Sequence, residues 1–157
     1  GSNNILIKDN TAQNLFRGFF SYEASSTNFT DNAAINNVQG FAIGGNYGLS
    51  FIGNIIAGNE IGIWKSHLPT RNLSIENNDF YSNGMNLVNT ERASTIIAEN
   101  NFFWTADREE ILPTISGGVD FEPFLFDYYC RSRSYCAPII ESFSPEADMM
   151  IASLISF

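Results

Sequence analysis

The sequence predicts an all-β chain wound into a parallel β-helix of about five rungs, a rung being one turn of the coil. The first observation is a period: asparagines recur at intervals of 22, 22, 24 and 22 residues. They are Asn10, Asn32, Asn54, Asn78 and Asn100. The second observation is a change of composition, because all 19 asparagines of the chain lie at or before Asn101. The repetitive part of the chain therefore ends near that residue.

Apolar residues keep step with the repeated asparagines, which makes the period more than a composition effect. Three residues before each asparagine comes an apolar residue: Ile7, Phe29, Phe51, Ile75 and Ile97. Two residues after it comes another: Ala12, Ala34, Ile56, Phe80 and Phe102. Side chains at these positions are predicted to point inward and to form the core of the coil.

A period of 22 to 24 residues excludes most other repeat architectures. Helical repeats are longer, about 33 to 47 residues, and the asparagine, glycine and β-branched content disfavours helix. Leucine-rich repeats share the period, but their leucine pattern is missing. A coil with three short strands per rung remains, in which equivalent residues stack about 4.8 Å apart. The five asparagines would then form a ladder, each amide hydrogen-bonding to the amides above and below it.

One rung can be assigned between Gly62 and Asn83. Its first strand is GIW, with Ile63 inward and Trp64 outward. The longer turn KSHLPTR leads to the second strand, NLSIE, and a tight corner containing Asn78 leads to the third, DFY. The short turn SNG then begins the next rung.

These residues resemble the right-handed parallel β-helix proteins typified by pectate lyases and by secreted bacterial β-helix repeat proteins. The phrases IENNDFYSNGMNLV and FIGNIIAGNEIGIW look like the usual rung of that family. The segment NNFFWTADREEILPTISGGVDFEPFL, residues 100–125, resembles the way in which many such bacterial proteins end. There the last rung runs into an aromatic corner, a short helix and a closing strand. The usual ending carries Trp and Gly after the asparagine, whereas this corner is Phe103, Trp104 and Thr105.

The resemblance covers about residues 3–125 and implies the fold rather than the activity. The family contains lyases, hydrolases, epimerases, adhesins and binding modules, which all use the same coil. It also implies a secreted or cell-surface protein.

The chain divides into three predicted segments. Residues 3–104 form the rungs, residues 105–125 a capping helix and closing strand, and residues 126–157 a tail that folds back on the coil or leads to a missing domain. Asp107 followed by Glu110 predicts a helix start, and Pro113 keeps that helix short. No comparable cap precedes Ile5, so we expect upstream rungs or a first rung buried against another chain.

The composition limits the class of partner. The formal net charge is -9 and the isoelectric point about 4.4, which argues against nucleic acid or an anionic membrane as a partner. Apolar runs are too short to span a membrane. Cys130 and Cys136 are predicted to form a disulfide, as in secreted proteins, with two free thiols as the alternative. His67 is far from both cysteines in sequence, so no zinc site is predicted.

An outward column on the first strand of each rung predicts a carbohydrate-binding surface. The column is Phe20, Ala42, Trp64 and Val88, and its flanking loops add aromatic and charged residues. Exposed aromatic rings suit the faces of sugars, and a basic side chain suits a uronate. The predicted binding residues are Phe20, Tyr22, Tyr47, Trp64, Lys65 and Arg71. The alternative is that the tail covers this stripe.

A second column, directly before the ladder, predicts a weak calcium site and no other cofactor. It contains Asp9, Asp31, Gly53, Asn77 and Glu99. Asp9 and Asp31 would be one rung apart, and stacked carboxylates repel unless they share a cation or a proton. The alternative is that both carboxylates point into water at the corner.

The leading functional expectation is a non-catalytic module that binds carbohydrate or scaffolds a larger protein. A lyase of this architecture needs a basic residue and acidic groups that hold calcium, and a hydrolase needs two or three carboxylates on one face. Lys65 and Arg71 lie in one loop, and no acidic cluster is predicted to face them. No catalytic residue is therefore assigned. The alternatives are a C-terminal fragment of a polysaccharide lyase or glycoside hydrolase, and a protein–protein module that associates through its uncapped first rung.

Overall fold

The computed structural model describes residues 4–126 of the 157-residue chain, and these residues form a parallel β-solenoid of about five turns. Each complete rung contributes one strand to each of three sheets. Sheet A contains β1 (Ile5–Lys8), β4 (Ser25–Thr30), β7 (Tyr47–Ile52) and β10 (Arg71–Glu76). Sheet B contains β2 (Thr11–Gln13), β5 (Ala33–Ile35), β8 (Ile55–Ala57) and β11 (Asp79–Tyr81). Sheet C contains β3 (Arg17–Tyr22), β6 (Gln39–Gly44), β9 (Ile61–Lys65), β12 (Met85–Asn89) and β14 (Ile115–Ser116).

The core consists of identical register positions stacked along the coil axis. Phe29 pairs with Phe51, and Phe51 pairs with Ile75 in the next rung. The rings of Phe29 and Phe51 are stacked with their centroids 5.0 Å apart. Each of these three side chains is at most 1 % exposed, so the predicted inward column is confirmed at these positions.

The predicted asparagine ladder connects four rungs as expected. Asn32 donates through its backbone N–H and its Nδ2 to Oδ1 of Asn54, at 3.0 and 3.1 Å. Asn54 donates in the same way to Oδ1 of Asn78, at 3.0 and 2.9 Å. Asn10 makes the equivalent contacts to Asn32. The Nδ2 of Asn54 also donates to the carbonyl of Phe29 in the preceding rung. Each buried amide therefore has partners on both sides.

The fifth member of the ladder is Asn101, so the prediction of Asn100 is wrong. Asn78 donates through its backbone N–H and its Nδ2 to Oδ1 of Asn101, both at 2.9 Å. Asn100 has a φ of 57° and occupies the corner position directly before the ladder. Glu99 therefore lies one residue ahead of that corner position and does not share the column of Asp9 and Asp31.

The same shift of one residue changes which side chains of the last rung face the core. Ala98 is fully buried, whereas Ile97 is 48 % exposed. Phe103 stacks on Phe80 with ring centroids 5.1 Å apart, in the place predicted for Phe102. Because side chains alternate along a strand, a slip of one residue exchanges the inner and outer faces.

Tight corners join the strands, and their backbone requires a positive φ. At the corner between sheets A and B this angle lies between 55° and 69°. The residues there are Asp9, Asp31, Gly53, Asn77 and Asn100. Asp, Asn and Gly tolerate this left-handed conformation best, which explains the composition of the column.

A second asparagine ladder, which sequence analysis missed, follows the corner between sheets B and C. Asn37 donates through its Nδ2 to Oδ1 of Asn59, and Asn59 does the same to Asn83, both at 3.0 Å. The sequence does contain this pattern: each of these asparagines lies five residues after a member of the first ladder, so the same intervals recur.

A short helix closes the C-terminal end of the coil. Helix α1 (Arg108–Ile111) is capped at its N-terminus by Asp107, whose side chain accepts from the backbone N–H of Glu109. A 3-10 helix, Leu112–Thr114, follows it with Pro113 in its first turn. Ile111 is fully buried in the core cluster. Strands β13 (Ile96–Ile97) and β15 (Val119–Asp120) pair beside this cap.

Two predictions concern residues outside the described range. The disulfide between Cys130 and Cys136 and the tail after residue 126 lie beyond it. In the described part of the chain, no helix is both long enough and apolar enough to cross a membrane.

Candidate functional site

The outward column of sheet C is aligned in the predicted register. Phe20 pairs with Ala42, Ala42 with Trp64, and Trp64 with Val88. Exposure differs strongly along the column, because Phe20 is 55 % exposed, Ala42 is fully buried and Trp64 is half-buried. The accessible aromatic surface is therefore concentrated in the first rung.

The first rung carries an aromatic patch, which we define as Phe16, Arg17, Phe20 and Tyr22. The rings of Phe20 and Tyr22 are stacked with centroids 5.6 Å apart and an interplanar angle of 13°. Phe16 is 64 % exposed and Tyr22 is 39 % exposed. These rings expose apolar surface to solvent on the first rung, and contiguous exposed apolar surface can mark a binding region.

Arg17 lies between two rings of the aromatic patch. Its guanidinium carbon is 5.3 Å from the ring centroid of Phe16 and 5.1 Å from that of Phe20. Its Nε donates to Oε1 of Gln39 in the next rung at 3.0 Å. The cation is therefore held at the surface by a neighbouring strand and by two aromatic faces.

An open cleft at the corner between sheets B and C adjoins the aromatic patch through Phe16. It combines apolar side chains with amides and one carboxylate. Its lining includes Leu15, Phe16, Val38, Asn14, Asn36 and Glu60. Apolar walls with a few polar groups are typical of small-molecule sites.

Tyr47 and Arg71 are brought together, but on a different sheet from the aromatic patch. They are register partners on β7 and β10 of sheet A. Tyr47 is 56 % exposed, and Arg71 is exposed as well. A corner of the coil lies between these two residues and the outward column of sheet C.

Lys65 is buried, so the prediction that it binds carbohydrate is wrong. It is 1 % exposed, and its ammonium group is paired with the carboxylate of Glu91. Ser94 lies 3.5 Å from the ammonium group and donates from its hydroxyl to Glu91 at 2.7 Å. Alternation along β9 explains the error: Trp64 points outward, so the next residue points inward.

The Lys65–Glu91 pair is the clearest electrostatic feature of the site. The hydrogen bond from Lys65 lowers the pKa of the Glu91 carboxyl, burial opposes this shift, and the Ser94 hydroxyl and the charge of Lys65 add to the lowering. Glu91 therefore stays ionised and satisfies the buried ammonium group. The pair holds the loop after β12 against β9.

Lys8 lies beside the two aspartates of the predicted calcium site. Its Nζ is 3.6 Å from Oδ2 of Asp9 and 3.8 Å from Oδ2 of Asp31. It supplies the shared cation that two stacked carboxylates require. In residues 4–126, no three His, Cys, Asp or Glu side chains are grouped so that they could hold a metal ion. Calcium binding at Asp9 and Asp31 remains a prediction, and it would have to compete with Lys8.

No protein-family model, curated protein or solved structure gives a significant match to this chain. The function must therefore be inferred from the chain's own residues.

Proposed function

We propose that this protein is a non-catalytic extracellular or cell-surface module of the pectate-lyase-like, right-handed β-helix type that binds carbohydrate through the aromatic patch. The observation that supports this proposal is the exposed pair of nearly parallel, stacked rings formed by Phe20 and Tyr22. Aromatic faces of this kind present an apolar surface with a negative quadrupole. They are suited to the C–H groups on one face of a sugar ring.

The surroundings of this aromatic pair supply the polar contacts that a sugar would need. Arg17 lies over the ring of Phe20 and can donate to hydroxyl or carboxylate oxygens. The adjoining cleft contributes the amides of Asn14 and Asn36 and the carboxylate of Glu60. Because the net charge is -9, a densely charged polyanion would be repelled at long range. A neutral glycan or one with few uronates fits better.

Binding is tested by titrating purified polysaccharides into the protein and measuring heat. We expect the double variant Phe20→Ala, Tyr22→Ala to bind about tenfold more weakly or worse, a change of about 1.4 kcal/mol. Ile97→Ala is the matched control, because it removes an apolar side chain that is 48 % exposed on the last rung. An unmodified protein that binds no glycan, or an equal loss in the control, would contradict the proposal.

The role of Arg17 is tested by a second comparison. Arg17→Gln removes the charge and keeps a hydrogen-bonding group. We expect it to weaken binding of a uronate-containing glycan more than binding of a neutral one. Equal effects on both glycans would mean that Arg17 acts only as a support for the aromatic rings.

The residues described favour the binding module over the lyase fragment. The two basic residues that a lyase could use are separated: Lys65 is buried against Glu91, and Arg71 lies on the surface of sheet A. A buried ammonium group that is paired with a carboxylate cannot easily act as a base.

A second candidate function is association through the first rung. Ile5, Leu6 and Leu15 are 42, 62 and 49 % exposed there, next to Phe16 of the aromatic patch. An edge strand has backbone N–H and C=O groups that can pair with a strand of another chain, and exposed apolar side chains favour that contact. Light scattering over a range of concentrations tests this idea with Leu6→Lys as the disrupting variant. A protein that stays monomeric at high concentration would contradict it.

A further inference from the structure

Sheet B has an apolar cluster on its outer face, in addition to the core on its inner face. The inner side chains are Ala34, Ile56 and Phe80, and all of them belong to the core cluster. The outer cluster is distinct from that core. It consists of Ala33, Ile35, Ile55, Ala57 and Tyr81, on β5, β8 and β11.

The large side chains of this outer cluster are almost completely buried. Ile35 is 6 % exposed, Ile55 is 3 % exposed and Tyr81 is 1 % exposed. Side chains on the outer face of a bare sheet stand in solvent, as Asn28 does on sheet A. A flat sheet can hide an alanine between larger neighbours, but it cannot hide isoleucine and tyrosine without a further layer.

The residues that the structure describes supply only part of such a layer. Trp104 is the partly buried apolar residue that packs against the cluster, with its ring centroid 6.0 Å from that of Tyr81. It lies at the last rung, whereas Ile35 lies three rungs away. A longer apolar segment is needed to cover the whole face.

The same outer face contains a buried carboxylate. Asp79 begins β11 and is 1 % exposed. A buried carboxylate is stable only when hydrogen-bond donors or a cation accompany it. Asp79 makes such an interaction, so the apolar cluster alone decides that the covering layer must be mostly apolar.

We propose that the outer face of sheet B is the docking surface for the C-terminal segment, residues 127–157. The chain already runs towards this face at the end of the described range. The backbone N–H of Leu125 donates to the carbonyl of Asn101 at 2.8 Å, and the carbonyl of Pro123 accepts from the N–H of Asn100. Residues 123–125 therefore follow the corner that leads from sheet A into sheet B.

The length and composition of this segment fit the docking surface. It contains 31 residues, whereas the four strands of sheet B span only about 15 Å. Its sequence is rich in apolar and aromatic residues.

Docking of the segment leaves the proposed glycan surface free. The aromatic patch lies on sheet C and the adjoining corner, while the segment occupies sheet B. A tail that covered the outward column of sheet C would bury Phe20 and Tyr22 instead. The proposal therefore stands whether or not the aromatic patch binds a glycan.

Thiol labelling of the full-length chain tests the proposal. Cys130→Ser and Cys136→Ser remove the natural thiols, and one new thiol is added as Ile55→Cys or, as the control, Asn28→Cys. We expect a maleimide to label the thiol at position 55 about tenfold more slowly or less under native conditions. Equal rates would overturn the proposal. Protection that disappears on dilution, together with a loss of dimer mass, would overturn it in favour of a second copy.

Cleavage of the folded chain gives an independent test. A protease site is inserted between residues 126 and 127, and the protein is cut after folding and passed over a gel-filtration column. We expect the C-terminal segment to co-elute with the coil. Ala57→Lys should release it, whereas Asn28→Lys should not. A wild-type coil that separates from the cut segment would overturn the proposal, whatever the variants do.

Discussion

At the scale of single residues, the fold depends on buried amides that are completely hydrogen-bonded. Asn78 is fully buried; its Nδ2 donates to Asn101 and to the carbonyl of Phe51, and its Oδ1 accepts twice from Asn54. An amide in an apolar interior is costly without partners. The coil supplies these partners because equivalent residues stack at the spacing of neighbouring strands.

Replacement of a central ladder residue should therefore be costly. Asn54→Ala removes one link and leaves the backbone N–H of Asn32 and the carbonyl of Phe29 without their partners. We expect a loss of about 2–4 kcal/mol in the free energy of unfolding, since each orphaned buried group costs about 1–3 kcal/mol. Urea unfolding measures this change, with Asn28→Ala on the exposed face of β4 as the control. A loss no larger than that of the control would contradict the ladder's role in stability.

The Lys65–Glu91 pair predicts how stability depends on pH. Because the pKa of Glu91 is lowered in the folded state, its contribution is fully present above the unfolded pKa of about 4.3. That contribution is lost as the pH falls through the lower folded pKa. Glu91→Gln should cost about 3 kcal/mol at neutral pH, since it leaves a buried ammonium group without its carboxylate.

The role of this pair is tested by measuring how the free energy of unfolding changes as the pH is lowered. Unfolding free energies are measured between neutral pH and the acid transition for the natural protein, Glu91→Gln and the control Glu109→Gln. Glu109 has an exposed side chain and should change little. The difference between the natural protein and Glu91→Gln should shrink as the solution is acidified. A difference that stays constant with pH would contradict this assignment.

At the scale of the elements, the spacing between rungs determines where glycine is required. A Cβ added at Gly40 would lie 2.6 Å from the backbone carbonyl oxygen of Gly62. The same close approach of backbones occurs at Gly18. This repeated contact explains why glycine recurs at the start of the sheet C strands.

Gly40→Ala should consequently destabilise the coil more than a change at a glycine where an added Cβ would make only ordinary van der Waals contacts. We expect a loss of about 2–3 kcal/mol from overpacking against backbone that cannot move aside. Gly48→Ala is the control: its φ is 72°, so it bears the left-handed strain, but its nearest neighbours are 3.6 Å away. That control should lose about 1 kcal/mol. Thermal unfolding of both variants is the measurement, and the reverse order of losses would contradict this explanation.

At the scale of the whole molecule, stability should vary from rung to rung. Strands β5, β8 and β11 are buried along their whole length, whereas β1 and β2 of the first rung are mostly exposed. The opposite end is closed by α1 and by Ile111 in the core. Neighbouring rungs stabilise one another, so a rung whose strands are mostly exposed opens most easily.

Native-state hydrogen exchange measures this gradient directly. We expect the backbone amides of β1 and β2 to exchange fastest and those of β7 and β8 to exchange slowest, near the global unfolding limit. The amides of β12, next to the cap, serve as the internal control and should resemble the central rungs. Uniform protection from the first rung to the last would contradict the prediction.

Sequence alone determined the architecture of this protein, because every rung repeats the same local requirements: an amide at the corner, apolar side chains at fixed distances from it, and short polar turns. It could not decide between Asn100 and Asn101 for the last link, since both are asparagines at almost the same interval and only the hydrogen bonds between rungs distinguish them. Nor could it show that Lys65 is buried against Glu91, that Lys8 lies between Asp9 and Asp31, or that the outer face of sheet B is buried. Those outcomes depend on residues that become neighbours only after the chain has wound round the coil, so only the tertiary structure decided them.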